Sequence, residues 1–526
     1  MSAFKVPVVE DNSDGWGPIN PPDHLKDIPY APYGKGDKLG KASDWTQQNY
    51  QRNFGQRQQG QAGGVFNFVL DEEEGGSFKL VDNRPVRPGR PGQRRFARRG
   101  RDDRDNQHGR EPEKFRGRGG QPRARNPRRQ WWWREPQKTV VYSSSVEIQP
   151  SWDLVEEIPF ASLTKLFQKV EDPEDLISCG ALEYFDRSYD RITPKMAKPL
   201  TRTKRVFRSV TTSDDPVMRR LASEDKGKIF VTDQILTTIM CATRSVYSWD
   251  IVVTRIADKI FLDKRDQSTL SLLTVNETAP DPVLEEKDNI NGVQQLSLEA
   301  TMVNQNFSQQ VIRPGAKHKF QAPNPFVVDE DPSELASCAY RYRRWKLSEN
   351  NDLDIIVRCE LDAVMEGREK PQLVSIKALN EFSGVKSVTA VPNTNVDWRQ
   401  RLESQRGAVF ATELRNNSNK LAKWTAAALL AGADMIKLGY VSRVHPKDNQ
   451  RHAILGTQLC RPLEFADQIN LKVGMCWGIV RAIAELCMKK GDGKYLLIKD
   501  PNKNHLRLYE IPDDAFEDHY GENTGN

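Results

Sequence analysis

Cysteine and histidine are both scarce in this chain, at seven of each in 526 residues. The cysteines are scattered and odd in number, no CxxC pair occurs, and the histidines do not cluster. This argues against a disulfide framework or a structural zinc site, and for reduced, buried thiols in a cytosolic protein. Long apolar runs are missing too. No window approaches the eighteen or so apolar residues that a membrane helix needs. The opening MSAFKVPVVEDNSDGWG lacks the basic-then-apolar order of a signal peptide, and its early acids are unlike a transit peptide. No repeat of fixed period is visible.

What is present is arginine, in one place. Arg84 to Arg134 holds seventeen arginines and one lysine, with Trp131-Trp132-Trp133 near its end. Six acids fall between Arg84 and Glu135, a surplus of twelve positive charges in a chain that is only +6 overall. The remainder is therefore acidic by about six, and the asymmetry points to a polyanionic partner. Guanidinium groups fork onto phosphates and stack on bases, which suits RNA without demanding a sequence. The tryptophans have two uses open to them: stacking bases, or stapling a strand expected from Thr139 to Ile148.

Residues 1–83 are rich in Gly, Gln, Asn, Asp and Pro, with apolar islands at Trp16, Trp45 and Val65 to Leu70. Such a segment cannot offset its ordering entropy alone and reads as a disordered tail that docks on a partner. From residue 139 to 512 the texture is that of one mixed α/β domain, followed by a short tail, 513–526. Helices are expected over Leu154 to Phe167, from a Thr232-Asp233 cap to Ser245, over Trp398 to Arg415, Asn419 to Leu430, and Ala466 to Lys489. A hairpin is expected over Asp250 to Asp263. Lys228 to Val231 reads as a short strand or a helix lead-in, and further strands are expected at Tyr340 to Leu347, Leu353 to Val364, Gln372 to Leu379, Met435 to Val441, His452 to Leu459, Tyr495 to Ile498 and Leu506 to Tyr509. Residues 276–296 have no periodicity and form a long acidic loop of the kind that is functional or disordered.

Two constellations carry chemistry. Glu360 and Asp362 sit on one predicted strand, and Ser375 and Lys377 on the next. Alternation puts the two acids on one face, the layout of an ExD…ExK metal-dependent nuclease. Serine at 375 stands where such an enzyme needs a third acid, so the reading is a degenerate relative that keeps the groove and holds no metal. The second is Tyr340 to Trp345, aromatics interleaved with arginines. One face of this stretch is free to form a stacking and phosphate-binding strip, the other being core.

Several runs resemble the family of d subunits of the eukaryotic translation initiation factor three complex. They include FVTDQILTTIMCATRSVYSWDIVV (230–253), LEATMVNQNFSQQ (298–310), AYRYRRWKL (339–347), SQRGAVFATELRNNSNKLAKWTAAALLAG (404–432) and KLGYVSRVHPKDNQRHAILGT (437–457). The opening GWGP and the arginine-rich tract fit as well, and the resemblance covers nearly the whole chain. It implies a domain with the fold of decapping exoribonucleases that binds the mRNA 5′ cap and is not an enzyme. It implies cap contacts at Asp233, Val246 and Tyr247 and on a second helix at Thr301, Asn304 and Gln305. Thr269 to Val283 matches an insertion acting as an RNA gate, with Leu273, Glu277 and Asp281 within it. The resemblance further implies a cytoplasmic protein with no cofactor. Its partners would be capped mRNA, the e subunit through the N-terminal region, and the small ribosomal subunit. Gln305 stands where animal relatives carry histidine, and the long acidic C-terminal tail of some relatives is missing.

Three physical expectations attach to these residues. Thr301, Asn304 and Gln305 are spaced to share a helix face. Asp233 and Tyr247, on one continuous helix, would lie roughly 21 Å apart along its axis, so either the helix ends first or, the favoured reading, they line a track and not one base pocket. The acids Glu277, Asp281, Glu285, Glu286 and Asp288 would make the gate an RNA mimic over a basic groove. The competing readings are a scaffold subunit with a retired nuclease domain and no cap specificity, and a metal-dependent 5′-end nuclease.

Overall fold

In a computed structural model of the chain, the described residues are 141–516, apart from 267, 281–282, 284–288, 328–333, 349–352 and 383–396. They belong to one compact unit, 126–526. The N-terminal islands, the arginine tract, the tryptophan triplet and the last ten residues lie outside the described residues.

The chain enters through strand β1 (Asp153–Pro159), a helical turn α1 (Phe160–Leu163), β2 (Glu174–Phe185) and the short β3 (Lys198–Pro199). Helix α2 (Pro216–Ser223) leads to β4 (Ile229–Thr232), α3 (Asp233–Met240) and the hairpin β5 (Asp250–Ile256) and β6 (Lys259–Asp263). Helix α4 (Val293–Gln310) is followed by β7 (Ile312–Lys319), β8 (Cys338–Lys346), β9 (Asp354–Leu361), β10 (Ala363–Met365) and β11 (Gln372–Asn380). Next come α5 (Trp398–Arg401), α6 (Arg406–Asn416), α7 (Ser418–Ala431), β12 (Met435–Arg443) and β13 (His452–Cys460). Helices α8 (Pro462–Gln468) and α9 (Val473–Met488) precede β14 (Gly493–Lys499) and β15 (His505–Ile511).

These strands form one mixed sheet, in the order β1-β15-β14-β5-β6-β4-β9-β8-β2-β10-β11-β12-β13-β3, with β7 paired to β2. The fold class is therefore mixed α/β. Central strands such as β9 and β12 are buried along most of their length, as expected where both faces of a sheet are covered.

The sheet's defining irregularity lies at Asp362. Residues 354–365 run as one strand interrupted there. The first part pairs with β4 and β8, the second with β2 and β11. Pairing with β4 stops at Thr232↔Arg358. β4 ends there and β11 pairs with β10 only over Gln372 to Val374, which leaves a gap in the strand ladder, the cleft, beside Glu360 and Asp362.

Several expectations are corrected. Leu154 to Phe167 is not a helix, because β1 pairs antiparallel with β15 over Asp153 to Pro159 and only one helical turn follows. Residues 141–148 form no strand. The helix from Asp233 ends at Met240: the Cys241 N–H makes the last i→i−4 bond, to Thr237, and the chain then tightens into a 3-10 turn over Ala242–Arg244. The run from Trp398 breaks at residues 402–405. That from Ala466 starts earlier, at Pro462, and breaks at Asn470, whose φ of 52° is left-handed. The long loop ends at Gly292, the N-cap of α4.

The Tyr340 to Trp345 strip is also corrected. Tyr340 and Tyr342 are buried on one face, and Arg343 and Trp345 on the other. Arg343 pairs with Asp175 and bonds the Leu430 carbonyl, while the Tyr342 hydroxyl donates to Asp215. The tyrosine face is closed by α2, whereas Arg343 and Trp345, though largely buried, line a cavity of about 780 Å³ together with Leu430, Arg461 and Trp477.

Candidate functional site

Where the sheet parts, backbone N–H groups lack strand partners and side chains take them. Asp233, at the start of α3, accepts from the Glu360 N–H at 3.0 Å. Asp362 accepts from the Ile376 N–H at 2.7 Å, and Asn304 of α4 accepts from the Ala378 N–H at 2.9 Å. A buried N–H left unpaired costs about 1–3 kcal/mol, so these three side chains hold the cleft open at little penalty. Asp233 and Asn304, two of the expected cap contacts, thus stand beside the strands that carry the nuclease-like residues.

The charges in the cleft are closely balanced. Asp362 pairs with Lys377 at 3.0 Å, and Ser375 Oγ lies 3.4 Å from the same oxygen. Burial, and then the neighbouring Glu360, push the Asp233 carboxyl up to about 7. Burial alone would lower the Lys377 ammonium, but Asp362 outweighs it and holds it above the ordinary lysine range. The Glu360 side chain is half-exposed, 3.8 Å from Arg358. Among the described residues no group of three or more His, Cys, Asp and Glu is arranged to hold a metal ion. Asp362 is instead committed to Lys377 and to backbone.

Helix α4 brings Thr301, Asn304 and Gln305 to one side, each half-buried. Its position is fixed by Glu299, which is buried and bonded to Arg443 and to His452 Nε2 at 2.7 Å. Burial pushes the Glu299 carboxyl up, but those hydrogen bonds outweigh it and hold the group below its ordinary range. Arg443 also bonds Asn291 Oδ1 and the Ile290 carbonyl, pinning the entry to the helix.

The segment Thr269 to Val283 lies across this arrangement. Thr269 opens a short 3-10 turn, and the Leu270 carbonyl accepts from Gln234 Nε2 at 3.4 Å. The Leu273 N–H donates to Thr301 Oγ at 2.9 Å. Val275 and Val283 are buried against Leu296 and Ala300. Asn276 and Thr278 dock at the junction of α6 and α7, through Asn417 and Ser418. Glu277 is buried and accepts from the N–H groups of Val246 and Tyr247. It is therefore not a solvent-facing acid, a correction to the picture of an acidic outer surface. Asp281, Glu285, Glu286 and Asp288 lie outside the described residues.

Val246 and Tyr247 stand on a loop and not on a helix, so the axial separation expected for one continuous helix does not apply. The Tyr247 ring meets Tyr142 edge-on, with centroids 5.6 Å apart. Trp249 is buried with its Nε1 donating to Ser245 Oγ. Its faces are not presented. Sequence reasoning missed Tyr142, which Asn502 pins from 360 residues away. It also missed Asn419, Lys420, Lys423 and Lys499, which surround Glu277. The run NNSNKLAKW (416–424) was the available signal, but nothing local tied it to Glu277.

No helix among the described residues is long and apolar enough to cross a membrane. The family model described as eukaryotic translation initiation factor 3 subunit 7 (eIF-3) matches residues 4–510. The chain is 48% identical over 541 aligned positions to the D subunit of eukaryotic translation initiation factor 3 from Bombyx mori, spanning 99% of this chain and 94% of that protein. To the D subunit from Homo sapiens it is 46% identical, spanning 98% and 96%. Among solved structures it is similar to Candida albicans Rai1 in complex with pU5-Mn2+, at 14% identity and a TM-score of 0.43, covering 69% of this chain and 94% of that one. It is also similar to K. lactis Dxo1 in complex with manganese, at 8% identity and a TM-score of 0.39, covering 68% and 98%.

Proposed function

The chain belongs to the eukaryotic translation initiation factor 3 subunit 7 family, and from that premise we propose that it is an mRNA 5′ cap-binding and RNA-binding subunit of that initiation complex. In this reading the 139–512 domain holds the cap end of the transcript, and the arm over 84–138 tethers RNA electrostatically. Residues 1–83 dock on the e subunit, near the small ribosomal subunit. Asp233, Val246, Tyr247, Thr301, Asn304 and Gln305 line the path. The segment 269–283 controls access to it. The protein acts in the cytoplasm and binds without cleaving, since Asp362 is neutralised by Lys377 and Ser375 supplies no third carboxylate.

One observation carries the proposal. A single segment is hydrogen-bonded to both sets of expected contacts, through Leu273 to Thr301 and through Glu277 to Val246 and Tyr247. A methylated guanine is cationic and prefers aromatic faces, and the Tyr142–Tyr247 pair supplies them next to the loop. The test is crosslinking of the full chain to cap-labelled RNA. Competition by cap analogue is the expected result. Labelling that the analogue leaves untouched would instead fit a scaffold subunit without cap specificity.

A further inference from the structure

The cavity of about 780 Å³ opens between the end of α7, the start of α9 and the chain at Val170 to Pro173. None of its lining residues belongs to the cleft or to the segment 269–283. Its walls are mostly apolar, with Met240, Leu430, Leu471, Cys476 and the tilted pair Trp345 and Trp477, whose ring centroids are 5.5 Å apart. Leu463 lines it although 68% exposed, and Phe167, 75% exposed, packs on Gly474 beside the lining residue Val473. Sites that take a ligand or an anchor have volumes of roughly 300–1,000 Å³. Large apolar side chains left exposed around such a cavity mark an interaction site.

The charged groups around the cavity narrow what it can take. Arg343 is held by Asp175 and by the Leu430 carbonyl, and Arg341 takes the next carbonyl, that of Ala431. Asp434 accepts from the Leu373 N–H at 2.8 Å, and Arg461 and Glu464 pair with each other at 3.1 Å. Glu171 and Asp172 remain. Both are exposed, and neither has a partner among the described residues. The interior therefore suits apolar or aromatic groups, and the rim suits a cation. An anion would meet two unpaired carboxylates.

We propose that this cavity is the docking site of the chain's own Trp131-Trp132-Trp133 triplet, with the flanking arginines at the acidic rim. The triplet carries both properties that the cavity suits: large apolar rings, and Arg128, Arg129 and Arg134 beside them for Glu171 and Asp172. Residues 141–148 form no strand for the triplet to staple. The tether is long enough. Trp133 is eight residues before Val141, where the described chain begins, and eight extended residues span about 27 Å. Tyr142 lies against Tyr247 and is bonded to Asn502. Three residues before Tyr247, the Arg244 guanidinium donates to the carbonyls of Ile469 and Asn470, and the next residue, Leu471, is cavity wall. A tether this short keeps the triplet at an effective concentration on the order of millimolar, which favours it over a second copy or a separate partner. Docked, the triplet roots the arginine tract at a fixed point on the domain and leaves the arginines before it free. The inference goes beyond the cap reading and does not depend on it.

The test uses the full chain with a photoreactive benzophenone side chain in place of Trp132. The expected result is a crosslink within one chain, independent of protein concentration, to the cavity-lining stretches 170–173, 426–434 or 461–477. Adding a single-stranded RNA oligonucleotide should leave that crosslink in place. No crosslink to those stretches, or crosslinks to RNA or to a second copy in its stead, overturns the proposal. The second measurement is binding of a labelled peptide of residues 126–138. The full chain carrying Trp131→Ala, Trp132→Ala and Trp133→Ala has a vacated cavity and should bind this peptide about ten-fold or more tightly than the natural chain, whose own triplet competes. Adding Leu463→Glu and Glu171→Lys, both at exposed positions, should remove that gain. Equal binding by the two chains, or a gain that these two changes leave intact, overturns the proposal as well.

Discussion

Asp233 shows how a side chain can serve the cleft at a cost to the fold. Its carboxyl, ordinarily near 3.8, is raised to about 7 by burial and then by Glu360. Between those values the folded chain holds a proton that the unfolded chain releases, so its contribution to stability falls as pH rises through that window. Asp233→Asn keeps an acceptor for the Glu360 N–H and removes the charge. It should raise the melting temperature at pH 8, by a stabilisation of about 1–3 kcal/mol, and leave it unchanged at pH 4. An equal effect at both pH values would show that the shift is absent. Tyr142 and Tyr247 make the second prediction at this scale. Replacing either with Ala should lower cap-competable crosslinking several-fold while leaving total RNA binding nearly intact. The spacing of Thr301, Asn304 and Gln305 was readable because it is local to one helix. Tyr142 was not, because its place is set by Asn502 and by Tyr247, both far along the chain.

At the scale of elements, the sequence showed most strands and placed several helix ends wrongly. Alternation and β-branching mark strands locally, and so β5, β6, β8, β11 and β12 were legible. Where α3 stops was not legible, because the 3-10 turn over Ala242–Arg244 carries no breaker residue, and the loop after it is held by Glu277 from another segment. Nor was the interruption at Asp362, which depends on where β4 ends and on how far β11 pairs with β10. Two contacts set how α4 meets this cleft. Gly439 of β12 packs beneath Phe307 so closely that an added Cβ would sit 2.3 Å from the ring. Gly439→Ala should therefore destabilise the domain by about 1–3 kcal/mol, measured by denaturant unfolding. Thr301→Val removes the acceptor for the Leu273 N–H. Local exchange over residues 272–275 should speed up, with a loss of about 1 kcal/mol confined to that segment. A large drop in global stability would mean that the segment is integral to the core and not a movable cover.

At the scale of the whole molecule, the proposed function divides labour between a basic arm and a selective cleft. In that proposal the arm's seventeen arginines supply a steeply salt-dependent hold on RNA that does not distinguish one 5′ end from another. The cleft contributes few charges but fixed geometry, from Asp233, Thr301 and Asn304 to the loop at Val246 and Tyr247. The arm's composition was the plainest feature of the sequence. The placing of Asp233 and Asn304 beside the strands that carry the nuclease-like residues was invisible there, because β4, α4 and β11 meet only through the sheet. The most direct test of this division is equilibrium competition between capped RNA and the same RNA with a 5′ triphosphate, across a salt series. It should be run on the full chain and on a chain lacking residues 84–134. The deletion is predicted to weaken both RNAs and flatten the salt dependence, while the capped-to-uncapped preference stays within about two-fold of its original value. Loss of that preference together with the arm, or its absence in the full chain, would contradict this division.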